Sequence, residues 1–345
     1  MQKKLIVLAI AAAISSPAFA DNANVNLYGK AFLDFEQVHN DMAAKSSAMR
    51  VQTNASRFGV KGSEDLGDGL TGIYQFEVQV DVDGNSGNGF GNGSRNSGVG
   101  LKGDFGQVIM GVWDTPYKLS HNAIELFDNT TVFSAINLMG RTNGNAENFN
   151  TRQKNLLTYT SPNMGGLQAA IAYSPDEAPT ATVNKSLLSM SATYEQDAIY
   201  AAAAYDSRAD ATTAGTTDSA MRLVGKYKMN DFWVGATVES IKVNTSATTS
   251  YSQSNLELAG QYKLGQSTVA ASFAKAGKTT VAATGAKQFT LRYGYNYSKR
   301  TEVFAAYTSL KNDAAGVYGF NAGTTYGAQA GSSQTAIGAG LIHSF

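Results

Sequence analysis

The sequence of 345 residues contains no cysteine and only five prolines, and its 27 basic residues equal its 27 acidic residues. Without cysteine, the chain has no disulfide bond, no thiolate zinc site and no cysteine nucleophile. The three histidines, His39, His121 and His343, are far apart in sequence, which disfavours a histidine metal site. The neutral balance leaves no basic excess for nucleic-acid phosphates, so we expect no nucleic-acid partner. No cofactor is expected either.

The first twenty residues have the three parts of a secretory signal peptide. Lys3 and Lys4 give a basic start, residues 5–14 form a short apolar run, and Ala18-Phe19-Ala20 provides a small-x-small cleavage pattern. Cleavage there leaves residues 21–345, which we expect to fold as a single domain. No run of about 18 apolar residues follows, so the sequence predicts export without a transmembrane helix.

Apolar and polar residues alternate along most of the mature chain, as in residues 24–36, 74–83 and 288–297. This alternation is typical of β-strands with one apolar and one polar face. Phe32 is an exception, because it falls on the polar face of its segment. No segment of comparable length has a sustained helical period, so the fold class is predicted to be all-β.

Seven short turn signals recur along the chain, mostly about 33 to 37 residues apart. They lie at residues 67–69, 103–106, 161–166, 195–197, 229–231, 264–266 and 297–300. Eight longer polar stretches separate them, and residues 114–151 form the longest. Seven turns and eight loops connect sixteen strands, and this asymmetry is typical of a transmembrane antiparallel β-barrel. A propeller or solenoid would also repeat regularly, but no blade motif recurs.

Several motifs are similar to those of Gram-negative general porins of the neisserial and β-proteobacterial type. Residues 24–29 resemble the first strand of that family, residues 56–70 its second strand and first turn, and residues 100–106 and 159–166 the next turns. Residues 297–301 and the terminal His343-Ser344-Phe345 complete a set that spans the mature chain in family order.

The resemblance implies a homotrimer of sixteen-stranded barrels in the outer membrane of a Gram-negative bacterium. Outer-membrane lipid and lipopolysaccharide would surround each barrel, and the long third loop would fold into the lumen and narrow the pore. We therefore expect residues 114–151 to be the constriction loop.

Alternation also identifies residues of the channel wall. Arg57 and Lys61 lie on one polar face, and Arg152 and Lys154 lie on another, so all four are predicted to point inward. The porin resemblance adds Arg95, although alternation places that residue on the lipid-facing side, so a bulge or strand end is needed there.

The long loop supplies the opposite charge. Its acidic residues Glu125, Asp128 and Glu147 are predicted to face the basic wall. Many relatives have an arginine after the glycine where this chain has Gly111-Val112, so one positive charge is missing near the constriction. The prediction is therefore only a weak preference for anions.

The function predicted from these features is passive diffusion of small hydrophilic solutes and ions through a water-filled channel. A substrate-selective channel is the main alternative. An outer-membrane enzyme or adhesin on a barrel is a further alternative, but three scattered histidines and mostly short loops disfavour both. Asp81, Asp83 and Asn85 have the spacing of the start of a calcium loop, but Ser86 replaces the required glycine, so no metal site is expected.

Overall fold

A computed structural model describes residues 24–42, 47–84, 89–143, 148–320 and 328–345, without the side chains of residues 90–94. The predicted signal peptide lies outside the described residues. The strands are β1 Asn24–Asn40, β2 Ser47–Thr53, β3 Arg57–Gly67, β4 Leu70–Val80, β5 Phe90–Ser94, β6 Ser97–Gly103, β7 Gly106–Asp114, β8 Arg152–Thr160, β9 Leu167–Ser174, β10 Leu187–Gln196, β11 Ile199–Ala209, β12 Thr217–Met229, β13 Phe232–Asn244, β14 Ser250–Leu264, β15 Ser267–Ala276, β16 Ala286–Asn296, β17 Thr301–Asn312 and β18 Ser333–Ser344.

All the strands belong to one antiparallel sheet, and β1 pairs with β18 to close it into a barrel. The closing register runs from Lys30 opposite Ser344 to Asn40 opposite Gln334. β2 and β3 both pair with β1, and β5 and β6 both pair with β4. β2 and β3 together form one interrupted barrel strand, and so do β5 and β6. The eighteen segments therefore form sixteen barrel strands, and the prediction of a sixteen-stranded barrel is confirmed.

The seven short connections occur at the predicted turn positions and lie at one end of the barrel. The turn between β3 and β4 consists of Asp68 and Gly69, with φ angles of 51° and 77°. Two-residue hairpins that follow the twist of the strands need positive φ at both positions, which Asp and Gly adopt readily. The β3–β4 register then shifts by one residue between Asp65 and Gly67, so the turn and this irregularity together set the pairing of the two strands.

The outer surface of the barrel is apolar. Along β11, the outward Ile199, Ala201 and Ala203 are exposed, whereas the inward Ala202 and Ala204 are buried. Exposed aromatic residues lie close to the short turns, at Tyr227, Phe232, Tyr262 and Tyr293. An apolar outer band bordered by aromatic residues is the surface that a transmembrane barrel presents to lipid.

Within the described residues, helical structure consists of two short elements in the connection between β7 and β8. They are the helix α1, Pro116–His121, and a 3₁₀ turn, Ala135–Asn137. The Thr115 side chain accepts a hydrogen bond from the Lys118 amide and caps the start of α1. Across the described ranges, we find no helix with the length and apolar character needed to cross a membrane.

The main apolar core lies between this connection and the inner face of the barrel. The rings of Phe32 and Phe304 meet edge to face at 5.7 Å, and Phe127 contacts Phe304 with ring centroids 5.8 Å apart. Phe133 packs against Phe127 at 5.5 Å. This packing explains why Phe32 interrupts the polar face of β1: it contacts the connection and not water.

Candidate pore constriction

A buried network joins the connection between β7 and β8 to the inner face of β12–β14. Nη2 of Arg222 lies 2.7 Å from Oε2 of Glu239, and neither side chain is exposed to solvent. The Tyr117 hydroxyl donates to Oε2 of Glu239 at 3.0 Å, and Nη1 of Arg222 donates to the Tyr117 carbonyl oxygen. The amide of Gly140 donates to Oε1 of Glu239. One wall carboxylate therefore holds two parts of the connection that are distant in sequence.

A second set of contacts holds residues 121–124 on the same three strands, β12–β14. Nε2 of His121 lies 2.5 Å from Oε2 of Glu257 on β14, and both side chains are buried. Nζ of Lys226 donates to the Ala123 carbonyl oxygen at 2.6 Å. Ile124 packs so closely on Gly235 that a Cβ atom there would lie 2.4 Å from the Ile124 side chain. The inner face of these strands is therefore complementary in shape to residues 121–124.

A cavity of about 680 Å³ remains between the connection and the inward faces of β3 and β4. Five of the residues predicted at the constriction line it, namely Arg57, Arg95, Arg152, Glu125 and Asp128. Its basic side chains are Arg57, Arg95, Lys118 and Arg152, and its acidic side chains are Glu77, Asp81, Asp83, Asp114, Glu125 and Asp128. Among the described lining residues, acidic groups thus outnumber basic groups by two.

Each of the three arginines lies near a carboxylate of the wall itself. Nε of Arg95 lies 2.6 Å from Oε1 of Glu77, and Nε of Arg57 lies 3.7 Å from Oε2 of the same residue. Nη2 of Arg152 lies 3.2 Å from Oδ1 of Asp114. The wall is therefore a row of ion pairs and not a purely basic surface, which reduces the field that each arginine projects into the cavity.

Arg95 reaches the cavity because it lies in the break between β5 and β6. The alternation that would place it on the lipid-facing side does not apply there. Its backbone amide donates to the Glu77 carbonyl oxygen at 2.9 Å, which keeps it beside β4.

Asp128 forms the contact between the β7–β8 connection and the basic wall. Its carboxylate forms an ion pair with Lys30 on β1, and Oδ2 lies 3.8 Å from Nη1 of Arg57. Burial alone would raise the pKa of Asp128, but the nearby Lys30 ammonium holds it below its ordinary value. This carboxyl group is therefore ionised at neutral pH.

Glu125 lines the same cavity, but its carboxylate is engaged within the connection. The amides of Leu126 and Phe127 donate to Oε1, and the Ser134 hydroxyl donates to Oε2 at 2.9 Å. Burial raises the pKa of Glu125 to about 7, although His121, 3.7 Å away, acts in the opposite direction. Glu125 therefore changes its charge near neutral pH.

The remaining predicted residues are not brought into this cavity. Lys61 lines a separate inward-facing pocket, nearer the short turns. Lys154 is exposed and is not among the lining residues of either pocket. The strand is irregular beside it, because Asn155 has a φ angle of 54° and the register shifts between Gly111 and Trp113. Glu147 lies outside the described residues.

The sequence interpretation overlooked Glu77, Asp114 and Lys118 as members of the constriction. Glu77 could have been found only in part: alternation places it on the polar face of β4, but its position diagonally opposite Arg57 depends on a register shift between Asp65 and Gly67 that the turn does not predict. Asp114 could not have been found, because it meets Arg152 only when the two ends of the long β7–β8 connection come together.

A closed barrel with an apolar outer band and a charged, water-accessible interior defines a transmembrane channel protein. Residues 7–315 match the family model of Gram-negative porins, and the chain belongs to that family. The resemblance seen in the sequence motifs is confirmed. The protein is an outer-membrane channel that passes small solutes by passive diffusion.

The chain is similar to outer membrane porin protein 32 of Delftia acidovorans, with 29% identity covering the whole of both chains. It is 25% identical to the major outer membrane protein P.IB of Neisseria lactamica, over 89% of this chain and 92% of the relative. The solved anion-selective porin from Comamonas acidovorans superimposes with a TM-score of 0.81 and 26% identity, covering 94% of this chain and all of that one. These relatives are channel proteins and not enzymes.

Proposed function

We propose that the long connection between β7 and β8, predicted as the constriction loop at residues 114–151, lies inside the barrel and narrows the water-filled channel of this porin. The observation that carries the proposal is that the segment contacts inward-facing side chains of the wall. Tyr117 and His121 from α1 reach Glu239 on β13 and Glu257 on β14. A barrel of this strand count without such an insert leaves a wide aqueous channel.

The constriction has a basic wall, Arg57, Arg95 and Arg152, opposite the acidic residues Glu125 and Asp128. Lys61 and Lys154 belong to the wider charged lining of the same channel. Opposed charges of this kind orient polar solutes and select ions by sign. A weak preference for anions agrees with the anion-selective porin from Comamonas acidovorans, which has a similar barrel.

The functional unit is a homotrimer embedded in outer-membrane lipid and lipopolysaccharide, and each subunit has its own pore. Support for the trimer comes from an OmpT structure of Vibrio cholerae solved in a trimer form, whose barrel superimposes with a TM-score of 0.66 at 16% identity. Residues 1–20 are the export signal, and residues 21–345 form the single barrel domain.

The test is the zero-current potential of the purified protein in a planar bilayer under a potassium chloride gradient. Conductance steps in groups of three with a modest excess of chloride permeability support the trimeric, weakly anion-preferring pore. Arg57→Ser combined with Arg152→Ser should shift the permeability ratio toward cations, whereas Lys278→Ser in an exposed loop should not. Correctly folded protein without conductance would overturn the channel function. An unchanged ratio in the arginine variant would overturn the proposed wall.

A further inference from the structure

A second inward-facing pocket lies between the arginine cavity and the short turns. It has a volume of about 470 Å³ and is formed by side chains of β1, β3, β4, β6 and β7. Its charged groups are Lys61 and Lys102, and none of the described residues that line it is a carboxylate. Within the described parts of the chain, neither lysine forms an ion pair. We call this space the lysine pocket.

Tyr28 joins the lysine pocket to the arginine cavity. Its hydroxyl donates to Oε2 of Glu77 at 3.0 Å, and Nζ of Lys61 lies 5.2 Å from the centroid of its ring. A solute that passes the arginine cavity therefore next meets the lysine pocket. The two spaces differ in charge. Acidic groups outnumber basic groups in the cavity, whereas the charged groups that line the pocket are all basic.

This difference in charge assigns the preference for anions to the lysine pocket. Each arginine of the cavity lies within 4 Å of a carboxylate, so its attraction for a passing anion is largely offset. The ammonium groups of Lys61 and Lys102 have no such neighbour among the lining residues. An anion in the lysine pocket consequently meets two positive charges without an opposing negative one.

The rest of the lining adds a second kind of specificity. Trp113, Ile109 and Ile73 provide apolar surface, and Gln75 and Gln107 provide amide groups. One part of the Trp113 side chain packs beside the apolar cluster of Leu156, and the residue also lines the pocket. A pocket of this size with an aromatic wall and two ammonium groups fits a small solute with a carboxylate at one end and an apolar ring at the other.

We propose that the lysine pocket is a binding subsite for small organic anions that carry an aromatic or other apolar group. This inference rests on the proposed channel function and adds a class of solute to it. Lys61 and Lys102 hold the carboxylate, and Trp113 contacts the apolar ring. Solutes of this class therefore reside longer in the pore than chloride or acetate.

The experiment compares sodium benzoate with sodium acetate as blockers of chloride conductance through the purified, full-length channel in planar bilayers. Both probes carry one negative charge, and only benzoate has a ring. Benzoate should block at a concentration at least about threefold lower than acetate, the size expected for one aromatic contact. Trp113→Ala should remove this difference. Lys61→Gln combined with Lys102→Gln should weaken block by both anions and lower the chloride-to-potassium permeability ratio.

Lys299→Gln is the matched control, because it removes a lysine from an exposed turn at the same end of the barrel. It should leave block and permeability ratio unchanged. The double lysine variant also guards against misfolding of Trp113→Ala, since both lysines are exposed to the water of the lumen. A further readout uses the fact that the chain has two tryptophans. In Trp233→Phe, benzoate should change the fluorescence of Trp113, and acetate should not.

Equal block by benzoate and acetate in the unmodified channel would overturn the inference. Undiminished benzoate block in the double lysine variant would overturn it too. In both cases a conducting channel would leave the proposed function intact. The loss of all conductance by folded, unmodified protein would instead remove the proposed function itself.

Discussion

Nε of Arg95 lies 2.6 Å from Oε1 of Glu77, so an arginine outside any strand is held in place by a carboxylate in the middle of one. The same carboxylate lies 3.7 Å from Nε of Arg57 and accepts a hydrogen bond from the Tyr28 hydroxyl. One acidic side chain thus positions two arginines of the cavity and partly offsets their charge. It is the residue through which the charge of this wall can be altered most directly.

Glu77→Gln should increase the preference for anions. The substitution keeps the shape of the side chain and removes the negative charge beside Arg57 and Arg95. A unit charge about 4 Å away contributes about 1 kcal/mol in water, so the chloride-to-potassium permeability ratio should rise by up to roughly fivefold. The zero-current potential under a potassium chloride gradient measures this ratio. Glu177→Gln, in an exposed loop, is the control, and a ratio that falls in Glu77→Gln contradicts the assignment.

Glu239→Ala should release the long connection from the wall. It leaves Arg222 buried without its ion-pair partner and removes acceptors of Tyr117 and Gly140. Breaking a buried ion pair by removing one partner costs about 3–5 kcal/mol. We expect a lower thermal unfolding temperature in circular dichroism, together with larger and noisier single-channel currents as the narrowing segment detaches.

Glu239→Gln is the graded comparison, because it keeps the shape and the acceptor oxygen of the side chain while removing the charge. Its losses should be smaller than those of Glu239→Ala. If both variants have unchanged currents despite a lower unfolding temperature, residues 115–151 do not control the bore.

The barrel was predictable from the sequence because its information is local. Each hairpin is specified by a period-two pattern and a short turn, such as Asp68-Gly69, and all seven turns occur where the sequence places them. Even the exception was visible, since Phe32 breaks the alternation of β1. The reason for the exception was not visible, because its partners Phe127 and Phe304 are distant in sequence.

The candidate site was less predictable for the same reason. Alternation identified Arg57 as inward-facing, but its carboxylate neighbours come from β4 and from the long connection. Irregular backbone adds to the difficulty: Arg95 lies in a strand break, and Lys154 lies beside an irregular Asn155. A period-two argument holds only while the strand remains regular.

Gly235→Val should disturb the channel through a steric effect alone. A Cβ atom at this position would lie 2.4 Å from the Ile124 side chain, so a larger residue must push the segment away from the wall. Overpacking of this kind typically costs about 1–3 kcal/mol. Adding Ile124→Ala makes room for the valine, and the double variant should recover most of the lost thermal stability. Additive losses in the double variant contradict direct packing between the two residues.

The charge of the cavity depends on pH. Burial raises the pKa of Glu125 to about 7, well above its ordinary value near 4.5. The folded state therefore favours the protonated form. The associated stability is fully present below about pH 4.5 and is lost as the pH rises through about 7. Ionisation also adds a negative charge to the lining of the cavity, so the preference for anions should decline between about pH 6 and pH 8.

The measurement is the zero-current potential as a function of pH, in the unmodified channel and in Glu125→Gln. His121 and Glu257 adjoin this group, and the nearby Glu257 carboxylate outweighs burial and raises the pKa of His121. A pH dependence that persists in Glu125→Gln therefore assigns the titration to His121. A flat profile from pH 6 to pH 8 in the unmodified channel contradicts the titration of Glu125 altogether. If the dependence disappears only in the variant, this single carboxyl group adjusts the charge of the cavity near neutral pH.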